Sequence, residues 1–191
     1  KYINQRIPDF PINVKYSFKN GSHLQAGAVL RNMYYKDEVE DKDRIVTGWG
    51  ASLSGIWQFA QNTSLCFQGV YGKGISNYIQ DISGTGLDLV PNATAEGKLK
   101  AFGAWGGYIG FSHNWSKVLT SNIMYSYARV LDRYGMPTTS YKYAQYAAAN
   151  LFWDFSEYGS CAIEYVFGRR NDFNKDYGNA SRINTMIQYR F

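Results

Sequence analysis

Read backwards from its C-terminus, the chain alternates. Ser181, Ile183, Thr185, Ile187, Tyr189 and Phe191 fall on one face of an extended segment, with Arg182, Asn184, Met186, Gln188 and Arg190 on the other. Cys161, Ile163, Tyr165 and Phe167 alternate with Ala162, Glu164, Val166 and Gly168 in the same way. So do Trp49, Ala51, Leu53, Gly55, Trp57 and Phe59 with Gly50, Ser52, Ser54, Ile56 and Gln58, and so do Ile12, Val14, Tyr16 and Phe18 with Asn13, Lys15 and Ser17. A period of two is the mark of a strand with two unlike faces. With residues 23–36, 63–79, 99–115, 119–132 and the segment around 146–155, this reading predicts nine strands and no amphipathic helix.

The connections alternate as well. Short turns are expected at Asn20-Gly21-Ser22, Gln61-Asn62, Ser116-Lys117 and Glu157-Tyr158-Gly159, and longer polar loops at 37–43, 80–98, 133–142 and 172–179. Asn-Gly is a favoured hairpin dipeptide. Tight turns at one rim and longer loops at the other describe an up-and-down barrel set between two compartments. Aromatic residues collect near the strand ends: Tyr16, Phe18, Trp57, Phe59, Trp115, Trp153, Phe155, Tyr189 and Phe191 at the short-turn end, and Tyr34, Trp49, Tyr71, Trp105, Tyr127 and Phe167 at the other. Between them lie Ala26, Ala28, Leu53, Gly107, Ile109, Ala149, Leu151 and Ile187. Two aromatic girdles around an aliphatic band about 25 Å tall fit a bilayer. In water the same surface would be far larger than the apolar patches soluble proteins tolerate.

Composition sharpens this picture. Aromatics make up 17% of 191 residues and Gly reaches 19 against 4 Pro, a balance that leans to all-β. Mean hydropathy is −0.38, because alternating strands average their two faces. No run of 18 apolar residues occurs, so a helical span is excluded. The opposite parity carries Asn, Gln, Ser, Lys and Arg with Gly and Ala between, which a dry core would leave unpaired and a watery lumen would not.

The expected class is therefore an all-β, transmembrane, up-and-down antiparallel β-barrel, with residues 1–191 forming a single β-barrel domain. Strand parity bears on its size. If the last strand ends on the periplasmic, short-turn side, the first of nine strands starts on the long-loop side. Either residues 1–20 stand outside and eight strands over 23–191 close alone, or the sequence is the C-terminal part of a larger barrel. Residues 11–18 alternate as well as any other segment, and the lumen parity is too rich in small residues to plug a closed eight-stranded barrel. The larger barrel is the expected arrangement. The alternative is a small eight-stranded barrel with a structural or adhesive role and no open pore.

The closing Met186-Ile187-Gln188-Tyr189-Arg190-Phe191 looks like the C-terminal strand signature of bacterial outer-membrane proteins. That likeness implies delivery to the outer-membrane assembly machinery through Phe191 and residence in a Gram-negative outer membrane, against lipid bilayer and lipopolysaccharide. Within this class the chain resembles the DcaP-like porins. The resemblance rests on Leu24-Gln25-Ala26-Gly27-Ala28-Val29-Leu30-Arg31, on Gly48-Trp49-Gly50-Ala51-Ser52-Leu53-Ser54-Gly55 and on Tyr71-Gly72-Lys73-Gly74-Ile75-Ser76-Asn77-Tyr78-Ile79-Gln80-Asp81. Gly107-Tyr108 and His113-Asn114-Trp115 fit the same pattern. What it implies is a homotrimeric channel of about sixteen strands for small anionic solutes such as dicarboxylates, of which this sequence would hold the C-terminal half.

Catalytic chemistry is not expected, and neither is a metal or a cofactor. His23 and His113 take opposite parities, as do Cys66 and Cys161. Gly72-Lys73-Gly74 lacks the strand-to-helix setting of a phosphate loop. The acidic stretch Asp37–Asp43 lacks the mid-loop Gly of a calcium loop and reads as a solvated turn. Candidate function rests on lumen-parity charges. Lys15, Arg31, Lys100, Arg170, Arg182 and Arg190 face inward, opposed nearby mainly by Glu164. Rings of Arg and Lys in a narrow pore favour anions, and Arg grips a carboxylate with two hydrogen bonds. A Glu164–Arg182 pair would instead neutralise itself. The formal charge of +5 does not point to nucleic acid, since its carriers line an interior. The long loop 80–98, with Gly84, Gly86 and Pro91, is the one expected to fold inward over the pore or to reach a neighbour.

Overall fold

The computed structural model describes residues 6–191 except Ala93, Glu96 and Tyr134. Its strands are β1 (Phe10–Ser17), β2 (His23–Asp37), β3 (Lys42–Ala60), β4 (Thr63–Lys73), β5 (Leu89–Pro91), β6 (Leu99–Ala101), β7 (Gly103–Asn114), β8 (Leu119–Val130), β9 (Tyr141–Asp154), β10 (Gly159–Asp172) and β11 (Tyr177–Tyr189). Nine of them form one sheet in the order β1-β2-β3-β4-β7-β8-β9-β10-β11, and β5 pairs with β6 in a separate two-stranded sheet. Every neighbouring pair is antiparallel. The nine-strand expectation holds, with two local differences. The segment 63–79 stops being a strand at Lys73, where Gly74 takes φ +71° and turns the chain into two 3-10 turns, Ser76–Tyr78 and Gln80–Ile82. The segment 99–115 is split at Phe102 into β6 and β7.

The sheet is open. β1 and β11 are its end strands, and β2 is bonded on one edge to β1 and on the other to β3. An eight-strand closure through β2 would need an edge that β1 already occupies. The ladders also shorten two connections expected to be long. β2 runs to Asp37 and β3 starts at Lys42, while β10 runs to Asp172 and β11 starts at Tyr177. At this rim only 74–102 and 131–140 are long.

Register fixes the faces. Asn122, Asn150, Glu164 and Asn184 stand in one cross-strand row, and Ser121, Leu151 and Ile163 in the next, on opposite sides. The apolar side is bare: Ile123, Ile163 and Ile183 are 63%, 53% and 67% exposed, so no protein layer covers it. Its belts are in contact as rings. Trp49 lies 5.7 Å from Tyr71, Trp105 5.0 Å from Tyr127, and Tyr127 5.5 Å from Tyr143 at the long-loop end. Tyr16, Phe18 and Trp57 form an edge-to-face run at the other.

The buried core lies on the polar side of the sheet. Ile75, Ile79, Ile82, Val90 and Phe102 of the loop pack with Ala104, Ala128 and Val130 of the wall. Glycine makes room for them. A Cβ on Gly50 would meet Ile75 Cγ2 at 3.0 Å, and one on Gly72 would meet Ile75 Cδ1 at 3.0 Å. A second cluster, Met33, Tyr35 and Leu89, seats the β5–β6 hairpin against the end of β2 and β3, where the Leu99 N–H donates to the Tyr35 hydroxyl at 2.9 Å.

Candidate functional site

Two structures on the polar face form the candidate site: an inward-folded loop and a hydrogen-bonded wall. The loop 74–102 is held by a buried ionic knot. Arg31, 5% exposed, donates from Nε to Asp9 Oδ2 at 2.9 Å, stands 3.0 Å from Asp88 Oδ1 through Nη1, and also donates to the Gly74 carbonyl. Its guanidinium centre is 5.4 Å from the Tyr78 ring, whose hydroxyl donates to Asp9 Oδ2 at 2.6 Å. The other Asp88 contacts come from the loop itself: the Ser76 N–H and hydroxyl, each at 2.8 Å, and Asn77 Nδ2 at 3.1 Å. One cation thus ties together the chain before β1, the wall strand β2 and both limbs of the loop. A buried charge is tolerated when paired and hydrogen-bonded, and this one is. At the far side of the loop, the Tyr141 hydroxyl donates to Asp81 Oδ2 at 2.8 Å.

The wall beyond the loop carries a polar ladder across β8, β9, β10 and β11. Asn122 Nδ2 donates to Asn150 Oδ1 at 2.7 Å, and Asn150 Nδ2 to Glu164 Oε2 at 3.3 Å. Asn184 Nδ2 donates to Glu164 Oε1 at 2.9 Å. Each carboxylate oxygen therefore has an amide partner. The alternative reading, a self-neutralising Glu164–Arg182 ion pair, is not met: no such bridge forms. Register explains this, since Arg182 faces Val166 and Asn184 faces Glu164.

The inward basic residues separate into four groups. Arg31 is buried in the knot and presents little surface to a solute. Arg170 donates from Nε to Asp172 at 2.9 Å and lies 5.7 Å from the Tyr141 ring centroid, which balances much of its charge locally. Lys100 stands on the β5–β6 hairpin instead of the barrel wall. Lys15 and Arg182 project from the polar face of β1 and β11, and Arg190 follows β11. Among the described residues no carboxylate is within salt-bridge distance of these three. Asp9, Asp88 and Tyr78 were not signalled by the sequence. Alternation identifies wall residues; Asp9 and Asp88 lie outside the alternating segments, and Tyr78 lies in the part of 63–79 that leaves the wall after Gly74.

At the long-loop rim, β2 and β3 overshoot the aromatic belt, and Asp37 caps their turn. Its Oδ1 accepts from the Val39 and Glu40 N–H groups at 3.1 and 3.4 Å, and its Oδ2 from Arg44 Nε at 3.1 Å. Burial alone would raise this carboxyl, but the Arg44 guanidinium and the two backbone donors outweigh it and hold it below the usual range.

Among the described residues no group of three or more His, Cys, Asp or Glu is placed to hold a metal ion. The sequence model of a family described as DcaP outer membrane protein matches residues 4–191. No curated protein sequence matches the chain. Among solved structures, the outer membrane channel DcaP of Acinetobacter baumannii superposes with a TM-score of 0.81 at 18% identity, covering 99% of this chain and 53% of that one. The NanC porin gives 0.46 at 11% identity, with coverage of 96% and 93%. The chain thus spans about half the length of the Acinetobacter channel, whose fold its strands share.

Proposed function

Because this chain belongs to the DcaP outer membrane protein family, we propose that its sheet is part of the wall of a diffusion channel for small hydrophilic solutes, with a preference for anions of the dicarboxylate kind. The observation that carries the proposal is the pairing of a polar sheet face with a loop packed onto that same face and tied there by Arg31. A loop that folds onto the watery side narrows a passage without closing it. Lys15, Arg182 and Arg190 give that passage a positive wall, and the amide ladder around Glu164 offers hydrogen bonds to polar solutes sliding past. On this reading 38–41, 74–102, 131–140 and 173–176 open to the cell exterior, and the functional unit is a homotrimer.

The test is a planar bilayer with a salt gradient across it. Discrete conductance steps with a reversal potential on the anion side support the proposal. A protein that inserts but passes no current, or one that favours cations, overturns it.

A further inference from the structure

Four strands repeat one local pattern on the lipid-facing side. An aromatic residue of the long-loop belt is followed two positions later by a basic residue: Tyr34 and Lys36 on β2, Tyr71 and Lys73 on β4, Tyr127 and Arg129 on β8, Phe167 and Arg169 on β10. Residues two apart on a strand share a face, so each cation stands one step beyond an aromatic ring, towards the loops. At the short-turn end the described strands carry no Lys or Arg on this face, and the basic residues there, Lys19 and Lys117, lie in turns.

The register lines three of these cations up. Lys73 faces Trp49 and Gly103, Arg129 faces Trp105 and Tyr143, and Arg169 faces Gln145 and Asn179. Each lies two strands from the last, about 10 Å sideways, and two residues lower in register. Strands of such barrels tilt by about 35–45° from the barrel axis, so this diagonal runs level with the membrane plane. Counter-charge is missing where it would cancel them. Lys36 is engaged by Asp41 at 2.6 Å, and Asp43, the acidic residue of this face, is engaged by Arg6 at 2.8 Å. Among the described residues no carboxylate is within salt-bridge distance of Lys73, Arg129 or Arg169. Of the two guanidiniums, Arg169 is the one held by its surroundings. Arg169 lies 4.2 Å from the Tyr177 ring centroid with Nε donating to Asn171 Oδ1 at 3.1 Å, and Nε of Arg129 is buried with no hydrogen-bond partner.

We propose that Lys73, Arg129 and Arg169 form a collar that binds the phosphate groups of lipopolysaccharide in the outer leaflet. The inference rests on the orientation given above, with the long loops outward. Trp and Tyr place the belt at headgroup depth, and the next position outward is where lipid phosphates lie. Guanidinium forks match phosphate oxygens with paired hydrogen bonds. Two neighbouring cations are close enough for one diphosphorylated headgroup to engage both. Strand-borne cations at one end of this face only, among the described residues, are what an asymmetric bilayer asks for, with the densely phosphorylated leaflet on one side.

The test uses protein purified from outer membranes and native mass spectrometry with three probes: diphosphoryl lipid A, enzymatically dephosphorylated lipid A and phosphatidylglycerol. Expected is retention of diphosphoryl lipid A over both others, weakened about ten- to thirtyfold in the Arg129→Gln, Arg169→Gln double variant and unchanged in Arg182→Gln on the other face. Heat-modified gel migration shows that the variants are folded barrels. Equal retention of the three lipids, or undiminished lipid A binding by the folded double variant, overturns the collar. A Glu38→Cys protein that reacts with an impermeant thiol reagent only after cells are opened overturns the orientation beneath it, and with it the collar.

Discussion

At the scale of single residues, face and partner decide what a charge can do. Lys15 and Arg182 share the polar face and lack carboxylate partners within salt-bridge distance among the described residues, whereas Arg170 is matched by Asp172. Replacing Lys15 and Arg182 by Ser is therefore expected to lower the anion-to-cation permeability ratio, while Arg170→Ser alone changes it less. Reversal potentials read both, and equal effects would mean that the Asp172 pairing does not matter in the pore. On the other face, Leu151 lies in a row with Ser121 and Ile163, open to lipid. Leu151→Arg is expected to destabilise the folded barrel by about 2–4 kcal/mol, measured by reversible unfolding from vesicles. A neutral result would reverse the face assignment. Asp37 gives a pH dependence. Its carboxyl is held below the usual range, so the stability it lends the β2–β3 turn is complete above that range and is lost as pH falls through the depressed value. The Val39 and Glu40 amides should stay protected from hydrogen exchange even where ordinary carboxylates are protonated, and lose protection only in more acid medium. Loss of protection while free carboxylates remain ionised would contradict the Arg44 pairing.

At the scale of elements, the knot around Arg31 separates loop order from barrel order. Arg31→Met would take the Arg31 guanidinium from the buried Asp88, a type of lesion that costs about 3–5 kcal/mol when the charge stays buried. The loop can avoid that cost by leaving the wall. The expected phenotype is a folded barrel with noisier, larger single-channel currents and a Thr85→Cys that reacts faster than in the parent; quiet currents of unchanged size would argue that the apolar seat of Ile75, Ile79 and Phe102 suffices. The same division explains how much could be read in advance. Wall strands announce themselves, because water on one side and lipid on the other impose a period of two along their whole length. Hence the faces of Glu164, Arg182, Cys66 and His113 follow from counting. The inward fold of the long loop followed only from its length and composition. Its fastening did not follow at all: Arg31 reads as pore-lining by parity, and only the positions of Asp9, Asp88 and Tyr78 reveal it as a buried anchor. The strand expected to reach residue 79 failed for the same reason. Ile75 and Ile79 continue an apolar spacing, yet they face the wall across Gly50, Gly72 and Gly106, not the bilayer.

At the scale of the whole molecule, almost every strand bonds to its neighbour in sequence, and one pairing, β4 with β7, reaches across an insertion. The insertion is closed at its neck. The Gly74 N–H donates to the Phe102 carbonyl at 2.8 Å, and Lys73 faces Gly103 directly across the ladder. Joining Gly74 to Phe102 would therefore leave a two-residue hairpin with glycine already in the left-handed conformation such turns prefer. A protein lacking residues 75–101 is expected to reach the heat-modifiable barrel form and to conduct more than the parent; failure to fold would show that the insertion is needed to build the wall. The neck makes the insertion a cassette. Its contents can be lengthened, recharged or exchanged between relatives while the scaffold goes on folding, so the aperture and the wall can evolve at different rates.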